Sequence, residues 1–125
     1  MAGLMGILGN ASKESLEAVQ KEFGSLLIEN EQLVAAYKLV RDLVIFTNKR
    51  LVLVDKQGMT GSKVEIMSIP YRRIVRIARE NAAGLDLDSE LKLWVQGNEL
   101  PIVKHFKKGE SIGEVYQLLT RAILE

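Results

Sequence analysis

The chain has 125 residues, no cysteine, and 17 basic against 16 acidic residues, so its formal net charge is +1. The length and the 47% hydrophobic fraction suit one domain with a single core, and the lack of cysteine excludes disulfides, thiolate nucleophiles and cysteine-ligated zinc. Proteins that bind nucleic acid usually carry a large basic excess, so the balanced charge argues against nucleic acid as a partner.

The start of the chain is apolar but does not resemble a targeting segment. Residues 1–10 are interrupted by glycines and lack the basic start of a signal peptide. No apolar run elsewhere approaches the ~20 residues of a membrane-spanning helix. We therefore expect a soluble, cytoplasmic protein.

A short helix is predicted from Ser12 to Phe23. Ser12 can cap its first turn, acidic residues follow close behind, and Gly24 is a natural stop. The apolar residues that share one face of this helix are Leu16, Val19 and Phe23. Because isolated helices of this length are marginal in water, we expect that face to pack against another element.

From residue 31 to residue 106 the pattern changes to seven short runs typical of strands, separated by turn residues. The predicted strands are Gln32–Leu39, Leu43–Thr47, Arg50–Asp55, Ser62–Ile69, Ile74–Glu80, Ser89–Gln96 and Glu99–Phe106. Tight turns are predicted at Asn48-Lys49, since asparagine tolerates the left-handed conformation, and at Gly97-Asn98, where glycine suits the first central position of a type II′ turn.

An amphipathic helix ends the chain. Ser111 and Glu114 have the spacing of a capping box. The apolar residues that follow at helical spacing are Ile112, Val115, Tyr116, Leu119 and Ile123. Seven strands and one such helix predict a mainly-β, antiparallel barrel or sandwich with the helix over one opening. We assign residues 1–30 to an N-terminal helical extension and residues 31–125 to this domain.

The first predicted hairpin is apolar on both faces. A turn at Asn48-Lys49 places Phe46 opposite Leu51 and Val44 opposite Leu53 on one face. The residues on the other face are Leu43, Ile45, Val52 and Val54. One face can line the core, and the other needs cover, either from the N-terminal helix or from another subunit.

The second predicted hairpin also carries apolar residues on both faces. Leu93 opposite Ile102 and Val95 opposite Leu100 form a plausible core face. The apolar residues on the reverse face are Trp94, Pro101 and Val103. A tryptophan with aliphatic neighbours is typical of an interface centre, and the alternatives are cover by the C-terminal helix or a register slip of one residue. Together the two hairpins favour self-association.

The sequence contains no recognisable motif for catalysis or metal binding. His105 is the only histidine, and it has no serine or cysteine partner in a recognisable motif. The acidic run 86–90 lacks the glycine and glutamate that a calcium loop needs at its sixth and twelfth positions. The segment 58–63 holds phosphate-loop residues in the wrong order. We therefore predict a non-enzymatic protein without a cofactor or metal.

The basic residues have two interpretations. Arg76 and Arg79 point to opposite faces of one strand, so they form no single stripe, and an ordinary solvated surface is the simpler interpretation. The alternative is an anion-binding patch, if the fold brings its members together. Those members are Arg72, Arg73, Lys104, Lys107 and Lys108.

Nearly the whole chain resembles the bacterial pleckstrin-homology-like family. The segments that carry the resemblance are Leu8–Ser12, Tyr37–Asp42, Phe46–Gly58, Ser68–Arg72, Leu85–Trp94, and Pro101-Ile102 with the C-terminal helix. The Phe-Thr-Asn-Lys-Arg turn at residues 46–50 is fairly specific. The resemblance implies a seven-strand barrel of two near-orthogonal sheets with a capping helix. It also implies ring-like homo-oligomers, which would cover the doubly apolar hairpins.

The resemblance does not imply lipid binding. Pleckstrin-homology domains that bind phosphoinositides carry a basic motif across the first inter-strand loop, and Val40-Arg41-Asp42 supplies only one net-neutral pair of charges. We predict a homo-oligomeric binding or scaffold module for a protein or peptide partner, which binds by strand addition or beside the C-terminal helix. The alternative is a peripheral domain for anionic lipid, anchored by Leu4, Met5, Ile7 and Leu8.

Overall fold

The fold consists of two antiparallel sheets, a short N-terminal helix and a longer C-terminal helix. The computed structural model describes residues 15–39, 42–57, 63–81, 88–107 and 112–125. The helices are α1 (Leu16–Phe23) and α2 (Ile112–Leu124), and the strands are β1 (Leu33–Lys38), β2 (Asp42–Thr47), β3 (Arg50–Gln57), β4 (Lys63–Pro70), β5 (Ile74–Asn81), β6 (Ser89–Val95) and β7 (Ile102–Phe106). Single 3-10 turns occupy Gly24–Leu26 and Tyr71–Arg73.

Some predicted features lie outside the described residues. They are the apolar Leu4, Met5, Ile7 and Leu8, the proposed caps Ser12 and Ser111, the basic Lys108, and the loop residues 40–41, 58–62 and 82–87. The predicted location and the domain division at residue 30 stay predictions. Neither described helix has the length and apolar composition needed to cross a membrane.

The strands follow chain order in both sheets. Sheet A has the order β1-β2-β3-β4 and sheet B the order β5-β6-β7, with antiparallel neighbours throughout. The prediction of a mainly-β fold with seven strands, a C-terminal helix and a short N-terminal helix is confirmed. The closed barrel is wrong in detail, because no ladder joins the two sheets within the described ranges. The outer edges of β1, β4, β5 and β7 consequently have no neighbouring strand there.

The main core lies between the two sheets and beneath α2. The largest fully buried side chains of this core are Tyr37, Phe46, Leu51, Leu91, Leu93, Phe106, Leu118 and Leu119. The Tyr37 and Phe46 rings meet edge to face, with centroids 6.0 Å apart. From α2, the predicted Ile112, Val115 and Leu119 are buried. Each large apolar side chain contributes roughly 1.5–3 kcal/mol on burial, so α2 is firmly held.

A second, smaller core lies on the opposite face of sheet A. Val19 and Phe23 of α1 pack there against Ala36, Leu43, Ile45, Val52 and Val54. Successive strand residues face opposite sides, so the first hairpin supplies both cores. All four interface candidates of that hairpin are buried under α1, which is one of the two covers expected from the sequence. The helix is capped by Ser15, whose Oγ accepts a hydrogen bond from Ala18 N at 3.1 Å.

The second hairpin has the predicted register but a different turn. Leu93 pairs with Ile102, as predicted. The ladder ends there, because Asn98 N donates to Val95 O at 3.0 Å and closes a turn before the strands can continue. Gly97, at φ 91°, is the third residue of that turn, so the predicted type II′ turn at residues 97–98 is wrong. The expected pairing of Val95 with Leu100 does not form.

Candidate functional site

The outer edge of sheet A exposes apolar side chains. On β4, Val64 and Ile66 are 47% and 43% exposed and point to the same side of the sheet as α1. Ile66 pairs with Val54, which is buried under the helix. The helix therefore covers β3 but leaves the next strand open. We call Val64 and Ile66 the exposed β4 face.

Sequence analysis placed a strand here but did not single out these two residues. The available indication was the alternation of Val64 and Ile66 with the charged Lys63 and Glu65. That pattern predicts one apolar face without showing whether another element covers it. The cover depends on how far α1 reaches across the sheet, which no local pattern encodes.

A buried ion pair anchors the segment between α1 and β1. Glu31 accepts hydrogen bonds from Arg50 Nε at 2.8 Å and Arg50 Nη2 at 3.1 Å, a two-pronged contact. Its carboxylate also accepts from Thr47 Oγ1 at 2.7 Å and Ile28 N at 3.0 Å. The Arg50 side chain further reaches Leu26 O. We call Glu31, Thr47 and Arg50 the Arg50 clasp.

The clasp explains why the Phe-Thr-Asn-Lys-Arg turn is distinctive. Thr47 Oγ1 accepts from Lys49 N and Arg50 N, and Thr47 O accepts from the buried Tyr71 hydroxyl at 2.7 Å. Asn48 bridges to the chain before β1, accepting from Gln32 N at 2.8 Å. The left-handed conformation expected at Asn48 is wrong. Among the described non-glycine residues, the positive φ belongs to Asn30 instead. The polar groups of this turn are thus engaged in contacts that hold the fold together.

A second ion pair joins the two sheets. Lys104 of β7 lies 3.3 Å from Asp42 of β2, and their side chains are only 10% and 21% exposed. Asp55 lies opposite Asp42 in the β2–β3 ladder. Burial raises the pKa of Asp42, Lys104 opposes that rise, and Asp55 adds to it, so the pKa of Asp42 is above its ordinary value of 3.8. The lysine is needed to balance two carboxylates.

Within the predicted anion patch, the structure separates Arg72-Arg73 from Lys104, and Lys108 lies outside the described residues. Arg72-Arg73 lie in the turn before β5, level with the Val95 end of β6. Lys104 lies opposite Leu91, four residues further along β6, which is about 13 Å at ~3.3 Å per residue. Lys104 also points into the molecule towards its carboxylate partner. Sheet topology, which the sequence pattern does not give, separates these residues.

The predicted interface centre on sheet B lies on the face away from the core. Trp94, Pro101 and Val103 are half-buried there. The Arg76 guanidinium stacks on the Trp94 ring, 4.5 Å from its centroid. A cation–π contact at an exposed site contributes about 0.5–1 kcal/mol, so the tryptophan already has a partner within its own chain. The alternative of a register slip is excluded by the observed pairing of Lys92 with Val103.

His105 lies in a polar cleft of about 310 Å³ at the other end of the same face. Its Nδ1 is 3.2 Å from Glu90 Oε2, and Glu80 of the same cleft pairs with Lys92 at 3.4 Å. In the part of the chain that the structure describes, no group of three or more histidine, aspartate or glutamate side chains is arranged to hold a metal ion. The cleft therefore has a polar, mainly acidic lining, which includes Ser89 beside the histidine.

Nearly the whole chain matches the family model described as "Bacterial PH domain", over residues 3–123. The chain belongs to the bacterial PH domain family. It is 56% identical over 120 residues to YjqA of Bacillus subtilis (strain 168), described as an uncharacterised protein, and the match covers 95% of this chain and 96% of that one.

Solved structures place the same fold in other bacterial PH domains. The pleckstrin homology domain from Shewanella amazonensis SB2B has a TM-score of 0.84 and 46% identity, covering 94% of each chain. A DUF1696 family protein with a pleckstrin-homology domain, from Shewanella loihica PV-4, has a TM-score of 0.78 and 42% identity, covering 89% of this chain and 95% of that one. The resemblance inferred from the sequence segments is confirmed.

Proposed function

We propose that this bacterial PH domain is a non-enzymatic module that assembles with copies of itself and holds an extended protein or peptide segment along β4. The observation that carries the proposal is the exposed β4 face on a strand whose outer edge has no described neighbour. An added strand gains hydrogen bonds from the free backbone groups of such an edge, and alternate side chains fill the apolar surface beside it.

The composition of β4 favours pairing over solvation. Edge strands in monomeric proteins are usually blunted by charges, bulges or proline. On the α1 side, β4 carries Val64, Ile66 and Ser68, and its proline stands at the end, at residue 70. Lys63 and Glu65 on the other face add one charge of each sign. An extended segment of mixed charge with apolar residues at every second position fits this edge.

The edge also suits ring-like assembly. Sheets A and B together leave other strand edges without a described neighbour, at β1, β5 and β7. A contact between β4 of one copy and a different edge of the next is head-to-tail, and such contacts close into rings when the rotation permits. In a closed ring every β4 edge is occupied by a neighbouring copy, so the peptide partner binds β4 of an unassembled copy and competes with assembly.

The non-enzymatic part of the proposal rests on how the polar groups are used. The buried carboxylate of Glu31 and the buried amine of Lys104 are both engaged in ion pairs that hold the fold. His105 is exposed and pairs with Glu90. The alternative role on anionic lipid depends on Leu4, Met5, Ile7 and Leu8 with nearby basic residues. Those four residues lie outside the described ones, so that role stays a prediction.

Ile66→Asp is expected to reduce assembly at least tenfold, because a carboxylate buried in an apolar contact costs several kcal/mol. Light scattering on a sizing column at low and high salt measures the effect. We expect the unaltered protein to give several times 14.0 kDa at both salt levels, and the variant to approach 14.0 kDa.

Leu100→Asp is the matched control, since Leu100 is an apolar residue in a turn and is 81% exposed. It introduces the same charge away from β4 and is expected to leave the mass unchanged. Thermal unfolding checks that both variants remain folded. An unaltered protein that is monomeric at every concentration, or an Ile66→Asp variant with undiminished mass, would contradict the proposal.

A further inference from the structure

Helix α1 is attached to sheet A by few contacts. Val19 and Phe23 are its buried residues, and burying each contributes roughly 1.5–3 kcal/mol. The hydrogen bonds of α1 run within the helix, its cap and the turn that follows, and none reaches a described strand. A helix of eight residues is marginal by itself, so only this small apolar contact keeps α1 docked.

A solvent-open groove borders the contact of α1 with the rest of the chain. An open cleft of about 660 Å³ lies between the helix and the start of β1. Leu16 and Gln20 line it from the helix, and Leu27 and Leu33 line it from the chain entering β1. The cleft is open to solvent, so it borders the contact between α1 and the sheet rather than lying inside it.

The surface under α1 cannot remain bare. Its five side chains are apolar and all are buried beneath the helix: Ala36, Leu43, Ile45, Val52 and Val54. Exposed together, they would add to the exposed β4 face and form one continuous apolar patch on sheet A. Patches of this kind on soluble proteins are covered by a partner. Whenever α1 leaves, this surface needs another apolar cover.

A hinge position follows directly after α1. The Arg50 clasp holds the chain from Leu26 O onward against β3 and β4. Gly24 and Ser25 stand between the last buried residue of α1 and this anchor. A rotation at these two residues would open the 3-10 turn, in which Leu27 N donates to Gly24 O, but would leave the contacts of the clasp in place.

We propose that the surface under α1 is a docking site for an amphipathic helix, and that α1 of a second copy occupies it in the assembled protein. This rests on the self-assembly clause of the proposed function. The occupant is defined by the structure itself, because a helix with Leu16, Val19 and Phe23 on one face is seen on this surface. Exchange between copies preserves every contact, which makes it a low-cost route to oligomers.

The position of the exposed β4 face supports the second copy as occupant. It borders the α1 surface on the same side of sheet A, through the pairing of Ile66 with Val54. A second copy that delivers its α1 to this side lies against both surfaces. The helix exchange and the β4 contact then belong to one interface, and each strengthens the other by raising the local concentration of its partner.

Single cysteines test the exchange, because the chain has none of its own. A Val19→Cys chain is mixed with a Val52→Cys chain, and the mixture is oxidised; Ile45→Cys and Val54→Cys chains are used in parallel. Each chain carries one thiol, so a disulfide between residue 19 and the sheet requires α1 of one copy on another. Mass spectrometry of the linked peptides identifies it. We expect a yield several-fold above that of Val19→Cys mixed with Leu100→Cys.

A doubly substituted Val19→Cys, Val52→Cys chain reports docking within one chain, and thermal unfolding shows that each variant is folded. If the mixed disulfide at all three sheet positions stays at the level of the Leu100→Cys control, the exchange is overturned, whatever the doubly substituted chain shows. That result leaves the proposed function open, since Ile66→Asp can still abolish assembly. Conversely, the mixed disulfide can form while the mass of Ile66→Asp is unchanged, which separates the two proposals.

Discussion

Replacing Arg50 with alanine is expected to lower the free energy of unfolding by about 3–5 kcal/mol, because the buried carboxylate of Glu31 then loses its cation. The Glu31 side chain is fully buried and that of Arg50 is 23% exposed. Thr47 and the backbone of Ile28 would still donate to the carboxylate, but neither carries a charge. Denaturant titration at neutral pH measures the loss.

Arg72→Ala is the matched control, since Arg72 is exposed, and we expect a change within about 0.5 kcal/mol. Arg50→Lys keeps the charge but loses the fork that contacts Glu31 twice, so its effect is expected between those of alanine and the unaltered protein. An alanine variant as stable as the control would show that the ion pair contributes nothing beyond its desolvation cost.

The clasp also fixes a pH dependence with a definite sign. Burial by itself raises the pKa of Glu31, but hydrogen bonds from Arg50, Ile28 and Thr47 and the charge of Arg50 outweigh it, so the pKa is below its ordinary value of 4.5. A lowered folded-state pKa contributes stability that is present above 4.5 and is lost as the pH falls through the folded value. Glu31→Gln is expected to be less stable at neutral pH and to lack this acid loss.

The first hairpin could be predicted almost completely from the sequence. The spacing of its apolar residues and the short turn define the register, and the observed pairs Phe46–Leu51 and Ile45–Val52 follow from them. Apolar residues on both faces predicted two covers as well. Whether the second cover is α1 or a neighbouring copy depends on a few kcal/mol of tertiary packing, which local periodicity does not determine.

The clasp could not be predicted, because its members look like surface residues in sequence. Glu31 and Arg50 are 19 positions apart, and neither belongs to a helical or strand pattern that pairs them. The chain folds back between α1 and β1, and only this reversal brings the carboxylate under the hairpin turn. The same applies to two members of the predicted anion patch, since the path of the sheet separates Arg73 from Lys104.

The second hairpin shows where turn chemistry overrides a register argument. Pairs up to Leu93–Ile102 follow the predicted register. Beyond them, Gly97 adopts a positive φ one position later in its turn than expected, and the chain leaves the ladder. Glycine permits several turn types at the same sequence position, so its presence predicts a turn without predicting which.

Lys104→Met is expected to lower the free energy of unfolding by about 2–3 kcal/mol at neutral pH and by much less in acid. This expected loss of stability is smaller than for a fully buried ion pair, because Asp42 is partly exposed. The pKa of Asp42 is already above 3.8, through burial and Asp55, and the lysine is what restrains it. Without the lysine the folded-state pKa rises further. Methionine retains most of the apolar stem, so the charge is the main change.

The sign is opposite to that at Glu31. A carboxyl with a raised folded-state pKa favours the folded protein below 3.8, and this advantage is lost as the pH rises through the folded value. The Lys104→Met variant should therefore approach the unaltered protein in acid and diverge from it towards neutral pH. Adding Asp42→Asn is expected to recover stability at neutral pH, because the remaining carboxylate of Asp55 no longer faces a second charge. A loss that is equal at every pH, and unchanged by Asp42→Asn, would mean that the ammonium group of Lys104 matters only through packing.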